Sequence, residues 1–541
     1  DWVSSMQHGL TDTCAAERIR HRADTVWLIV MGGRIIAMQS GFAMVESAFV
    51  RPKNAANIMM KNLMDMFLGC IAFYFVGYRI AYPDEAGSDE LGFDFALWFL
   101  NFSYATTAAT IDSGALAGRV SFHGYLVFSC IMTGVIYPSV VNWTWGGGWL
   151  HREGFVDFAG SSVVHVVGAM SAFICICICG PRVGRFPEYR GWRCCYKWLF
   201  AERYNSDYYR GPMTDYETRV FTKVMPIYNP VQALFGLFLL IVGFLAFNPA
   251  STLSTTDNLD LLAGRATVTT LLAASGGALA PFVVGLFRCR SVTVSIPDFV
   301  TTTIAGMVAI CAGCHSIPAS ICLFVGFVGG LSAFITQALL ARYQYDDVVG
   351  AVAAHGPPGL WGIICVPIFS KPHCQSELKG LLYGGGNAAW ELLGVQVYGV
   401  AAITAFAAIS TYVSVILIDL VIGFRSDRAT EFIGHDRVEH AFQDPSGVDD
   451  RLVEFMQCHS PVRDSMKHRI KKAHSPTKPY EATQDPPPPA PDAMAQIAAL
   501  QKELLSLKED MRLMSSSMSE QQPSHCVEPT AEDDPCDTCT I

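Results

Sequence analysis

Apolar residues fall along this chain in long blocks separated by short polar breaks. A bilayer-crossing helix needs about 20 largely apolar residues. Eleven blocks reach that length: 25–50, 54–80, 93–117, 122–143, 158–180, 229–249, 261–287, 297–314, 318–341, 349–369 and 395–424. The pattern predicts an all-α polytopic membrane protein. The first block starts too late, and continues too far, for a secretory signal.

The polar breaks orient the bundle. The break from Pro181 to Tyr228 carries nine Lys/Arg, and Arg51, Lys53, Arg119, Arg288, Arg290 and Arg342 mark other breaks of the same parity. Opposite breaks are acidic or poor in charge, as at Asp84, Glu85, Asp89 and Glu90. Basic loops stay in the cytoplasm. Residues 1–24 are therefore expected to form an extracellular N-terminal segment and 25–424 the membrane domain, with the C-terminus cytoplasmic.

Beyond Phe424 the pattern changes. Residues 425–492 are polar, a cytosolic tail closing on the run Pro486 to Pro489, a stiff polyproline-like linker. Ile497, Leu500, Leu504, Leu507, Met511 and Met514 then recur at three and four, a short heptad seam within 493–518. It reads either as a coiled coil held by a pre-assembled oligomer or as a solitary amphipathic helix. Residues 519–541 are acidic and are expected to be disordered.

Composition agrees. The 541 residues are 51% hydrophobic and 16% charged, against about 25% charged in soluble chains, and mean hydropathy is +0.31. A disordered protein, a nucleic-acid binder and an ordinary cytosolic enzyme are excluded. The net charge of −10 has little weight, because much of it sits in the tail. Most of the 18 cysteines lie in apolar runs, as Cys175, Cys177 and Cys179 do, and act there as small hydrophobes. Cys536 and Cys539 form a C-x-x-C in an acidic tail without partner histidines, so no metal site is expected.

One internal echo carries chemistry. Asp157 precedes His165 by eight residues at the start of the fifth block, and Asp347 precedes His355 by eight at the start of the tenth. Five spans separate the two, so these helices enter from opposite faces. Eight helical residues rise about 12 Å, close to half the bilayer core, which puts both histidines near the midplane. The expected architecture is two inverted five-helix repeats, a final helix and a central site. Alone, either histidine also reads as interhelical hydrogen-bonding glue. Symmetric placement favours a pathway.

Several motifs resemble one family. DFAGSSVVHVVGAMSAF (157–173), QYDDVVGAVAAHG (344–356), WGGGWL (145–150) and GFAMVESAFVRPKNAANIMMKN (41–62) are similar to the ammonium transporter, methylammonium permease and Rhesus family. GPRVGRF (180–186), FNPAS (247–251) and AMQSGFAM (37–44) look most like its plant-type branch. The resemblance covers about 25 to 440. It implies transport of ammonium and methylammonium across the plasma membrane by a homotrimer with one pore per subunit. It implies no cofactor, no nucleic acid and no enzymatic activity.

By this resemblance His165 and His355 are paired pore histidines. Trp145, Ser251 and Tyr104 are the ammonium recruitment site, Tyr104 and Phe247 the stacked gate, and Asp157 a carboxylate acting through structure and field. Read without the family, Trp145 is an interfacial belt residue, Phe247 a core side chain and Ser251 a turn or cap after Pro249. Glu46 and Asp65 are intramembrane acids expected to find structural partners.

The sequence departs from the family at Tyr104, where phenylalanine is usual, at Ala250 for glycine, and at Asp112 for an apolar residue. Pairing with a neighbouring span is expected for Asp112. The long basic and aromatic 181–228 loop reads as a packed cytosolic cap or a contact for anionic lipid. GHDRVEHAF (434–442) resembles the segment that couples neighbouring subunits, with Ala441 for glycine; a cytosolic regulator or kinase acting on the tail is a candidate partner. Two other functional readings stay open: an ammonium sensor signalling through that tail, and a neutral ammonia channel.

Overall fold

The computed structural model describes residues 2–84, 94–186, 227–289, 293–373, 376–427, 430–431 and 434–440, with side chains from residue 17 onward. Most of the 181–228 loop, the Pro-rich linker, the heptad seam and the C-x-x-C lie outside the described residues, as does the whole second unit, Pro461–Ile541. Among the described residues the structure is helical, with isolated bridges only.

The long helices are α1 (Trp2–Phe49), α2 (Pro52–Ala81), α3 (Phe95–Leu116), α4 (residues 122–144), α5 (Ser161–Cys179), α6 (Pro230–Ala250), α7 (Leu259–Cys289), α8 (Ile296–Gly313), α9 (Ala319–Arg342), α10 (Ala351–Phe369) and α11 (Gly386–Val421). Ten are long and apolar enough to cross a membrane. The other is α3, 22 residues long, which carries Asn101, Ser103, Thr106, Thr107, Thr110, Asp112 and Ser113. All seven are buried, because α3 faces protein on almost every side. Helix α1 extends well before the expected start at residue 25 and takes in the segment expected to be a separate extracellular piece.

Helix starts follow local chemistry. Asp94 caps α3 by accepting from the Ala96 and Leu97 N–H groups, Ser121 caps α4, and Asn229 followed by Pro230 starts α6. The two halves repeat one neighbour pattern. In the first, α1 packs on α3, α3 on α5 and α2 on α4; in the second, α6 packs on α8, α8 on α10 and α7 on α9. The halves meet along α1 and α6, and along α5 and α10. Arg182, just past the C-terminus of α5, binds Asp346, just before α10. The two histidine-bearing helices are therefore antiparallel.

Close approach in the second half rests on missing side chains. A Cβ on Gly277 of α7 would lie 2.2 Å from the Thr302 carbonyl oxygen of α8, and one on Gly306 would lie 2.3 Å from that of Ala273. Where lipid and protein are equally apolar, such small-residue contacts drive helix association. Gly306→Val should destabilise the bundle by about 1–3 kcal/mol or more, read as a lower unfolding midpoint of detergent-solubilised protein. An unchanged midpoint would show that the helices can part without penalty.

The start of the tail folds back on the same chain as α12 (His435–His440). Asp436 accepts from the Ala56 and Asn57 N–H groups, and Glu439 accepts from Phe122 N and Asn57 Nδ2. His435 donates its backbone N–H to Asn54 Oδ1, and its Nε2 pairs with Ser426 Oγ at 2.8 Å. Burial, with Lys61, Lys53 and His440 close by, holds the His435 imidazole well below its ordinary value. The neutral ring suits that pairing, with the Ser426 hydroxyl donating to Nε2. The tail thus caps α2, as an acidic side chain does at a helix N-terminus.

Candidate functional site

Asp157 and Asp347 do the same local work. Asp157 Oδ1 accepts from Gly160 N and Ser161 N, and Oδ2 from Ser162 N, Ser162 Oγ and Val163 N, at 2.7–3.0 Å. Asp347 accepts from the N–H groups of Ala351, Val352 and Ala353. Each aspartate is followed three residues later by a glycine in the left-handed region, Gly160 at φ 91° and Gly350 at φ 74°, which L side chains rarely adopt.

This geometry corrects the expected depth argument. The helices start at Ser161 and Ala351, not at the aspartates, so each histidine lies in the second helical turn. On the α5 side the capping loop is itself sunk in the protein, with Asp157 5% exposed, while Asp347 is half-buried.

Starting from these two turns, His165 and His355 meet. Their Nδ1 atoms are 3.2 Å apart and their rings stack at 5.1 Å and 22°. One hydrogen lies between the two Nδ1 atoms, donated by one ring and accepted by the other. His165 Nε2 is buried and has no hydrogen-bond partner.

The other expected residues form a file leading to the pair. Phe247 lies 5.5 Å from the His165 ring and packs edge-on against Tyr104 at 4.6 Å and 81°. Tyr104 is 5.9 Å from Trp145, which is half-buried where α4 ends. Trp145 Nε1 donates to the Asp157 carbonyl at 2.8 Å, which fixes the indole over the start of α5. Ser251 Oγ lies 3.1 Å from Tyr104 OH. The fold thus brings all seven singled-out residues together, with the Asp157 carboxylate wholly occupied by its own helix start.

Two ring contacts were missed by sequence reasoning. Phe244 stacks on His165 at 5.6 Å, and Phe42 of α1 lies 6.4 Å from His355. Phe244 precedes Phe247 by one helical turn and was findable on that ground; Phe42 had no comparable signal.

The other buried acids have different settings. Glu46 accepts from Asn62 Nδ2 and Ser113 Oγ. Asp65 accepts from Tyr125, Thr110 and Ser129 hydroxyls. Asp112 is fully buried, and the Ser171 hydroxyl of α5, a neighbouring span, interacts with its carboxylate. Ser171 Oγ also pairs with Thr411 Oγ1 at 2.8 Å.

A multi-pass helical bundle whose buried centre is a file of aromatic rings ending on two histidines has the features of a membrane transporter or channel. The chain belongs to the ammonium transporter family. Its similarity to the Ammonium Transporter Family extends over residues 26–194 and 210–444. Ammonium transporter Amt2 of Archaeoglobus fulgidus is 33% identical over 450 residues, covering 77% of this chain and 87% of that protein. A putative ammonium transporter of Synechocystis is 31% identical over 464 residues, covering 81% and 92%. Among solved structures, a sensor Amt protein is 25% identical with a TM-score of 0.65, covering 79% of this chain and all of that one. Mep2 of Candida albicans, 23% identical, shares the fold with a TM-score of 0.61, covering 74% and 85%.

Proposed function

We propose that this protein transports ammonium and methylammonium across the plasma membrane as a homotrimer, with its N-terminus outside and its tail in the cytoplasm. The single observation that carries this reading is the histidine pair, 3.2 Å between Nδ1 atoms, at the inner end of the edge-on Tyr104–Phe247 ring pair. Trp145, Tyr104 and Ser251 recruit the cation. An ion over an aromatic face gains about 0.5–2 kcal/mol or more when desolvated, and the Ser251 hydroxyl supplies direction.

Beyond the two rings the ion sheds a proton. Taking a small bare ion into a low-dielectric interior costs on the order of 20 kcal/mol in the Born limit. Deprotonating a base about two units above neutral costs roughly 3 kcal/mol, at 1.36 kcal/mol per unit, so deprotonation wins. Ammonia then passes the apolar pore, with the buried, unpartnered His165 Nε2 as its hydrogen-bond partner. The proton follows through the pair and rejoins ammonia on the cytosolic side, so one positive charge crosses per molecule. The Asp157 carboxylate holds the start of α5 and contributes its field.

Two-electrode voltage clamp on expressing oocytes, with radiolabelled methylammonium uptake, tests this. A saturable inward current with ammonium and none with potassium is expected. Uptake without current would replace charge transfer with neutral ammonia conduction. Neither signal, from trimeric protein at the surface, would overturn transport in favour of a sensor signalling through its tail, a reading that similarity to a sensor Amt protein keeps in view.

A further inference from the structure

At the end of α6 the Phe247 carbonyl loses its helical donor. Ser251 N donates to Asn248 O, Thr252 N to Pro249 O and Leu253 N to Ala250 O, each three residues back. This tightened turn takes Ser251 N away from the Phe247 carbonyl, which a regular helix would have paired with it. The Tyr104 hydroxyl occupies that place, donating to Phe247 O at 3.0 Å. Tyr104 is 2% exposed, so water does not compete for the bond.

A phenol has one hydrogen, and this one is spent on the carbonyl. The contact between Tyr104 OH and Ser251 Oγ, 3.1 Å long, then has a direction: Ser251 donates and Tyr104 accepts. With its own hydrogen turned inward, the half-buried Ser251 oxygen presents only lone pairs outward. A phenylalanine at position 104 would leave that serine rotor free.

We propose that Tyr104 is a positioning and specificity-determining residue, whose hydroxyl aligns Ser251 as a pure acceptor for a small cation with N–H donors. The chain runs from cation N–H to Ser251 Oγ, from Ser251 O–H to Tyr104, and from Tyr104 O–H to the Phe247 carbonyl. Each link polarises the next. The same bond ties the two edge-on rings together, since the carbonyl that Tyr104 grips belongs to the residue whose ring it packs against. This inference rests on the recruitment reading of Trp145 and Ser251 proposed above.

Concentration dependence of ammonium-evoked current, corrected for surface protein, tests it in Tyr104→Phe, Ser251→Ala and the double variant. Tyr104→Phe keeps the ring and removes both hydrogen bonds of its hydroxyl. Its half-saturating ammonium concentration should rise about fivefold. Ser251→Ala should raise it at least as far. In the Ser251→Ala background, Tyr104→Phe should add no further rise, since the two act as one unit. If Ser251→Ala leaves half-saturation unchanged, the recruitment reading itself fails. If Ser251→Ala raises it while Tyr104→Phe does not, or if the two effects add, Tyr104 does not act through Ser251 and the present inference is overturned.

Discussion

Asp346→Ala should abolish most folded protein, because it strands a buried arginine. Arg119 is 0% exposed and reaches Asp346 Oδ2 at 2.9 Å. Its remaining acceptors are the Ala115 and Asp346 main-chain carbonyls. Arg182 binds both carboxylate oxygens at 2.8–3.0 Å, and Arg185 lies 3.5 Å away. Removing one partner of a buried ion pair costs about 3–5 kcal/mol, a large share of a domain's net stability. The damage would not stay local, since this cluster joins the end of α3, the end of α5 and the start of α10.

The pH dependence of that contribution has a definite sign. Burial alone would raise the Asp346 carboxyl, but Arg182 and Arg119 more than offset it and hold it well below the usual carboxylate range. A depressed folded value means the stabilisation is complete above the unfolded value of about 3.9. It is lost only as pH falls below that towards the folded value. Fluorescence-detected size exclusion and thermal unfolding check the substitution. Asp346→Ala should lose most of the monodisperse peak, and combining it with Arg119→Met should recover part of it by removing the stranded charge. A single variant as stable as the wild type would show that the arginines find other acceptors.

His165→Ala combined with His355→Ala should cut ammonium-driven flux by about tenfold or more. An ammonia molecule stripped of water in the pore needs a polar partner. Leaving a buried polar group unsatisfied costs about 1–3 kcal/mol, and 1.4 kcal/mol is tenfold. His165 Nε2, buried and without a protein partner, is the atom best placed to supply that bond. The two rings also occupy the end of the aromatic file, so removing both opens room for water and for a hydrated ion. Current carried by potassium should therefore appear where there was none. Voltage clamp with ammonium and potassium in turn reads both effects. Unaltered ammonium current with intact rejection of potassium would remove the histidines from the pathway.

The fold was legible in the sequence where length and hydropathy alone decide. Helices are the cheap way to bury a backbone in lipid, so apolar blocks gave most spans to within a few residues. Their boundaries moved where capping chemistry intervened, as at Gly160 and Gly350, whose left-handed backbone delays each helix by four residues beyond its aspartate. A paired period of eight between aspartate and histidine also signalled two equivalent turns. Polar α3 was placed correctly despite its hydropathy, because the flanking breaks marked its ends.

What the sequence by itself determined is therefore the bundle, the inverted repeat and the choice of His165 and His355 as a candidate pair, since each follows from spacing along one chain. Only the tertiary structure decided which groups from different helices meet. The fit of Tyr104 to Phe247 O and Ser251 joins α3 to the end of α6, residues 143 and 147 positions apart. Arg119 and Asp346, 227 apart, and Asp436 with the start of α2, about 380 apart, are contacts of the same kind. The approach of Ser171 to Asp112 belongs here too: spacing shows that an acid is buried, but not what stands opposite. Hydrogen bonds and ion pairs depend on distances of a few tenths of an ångström across packed helices, and no periodicity in one strand of sequence encodes them.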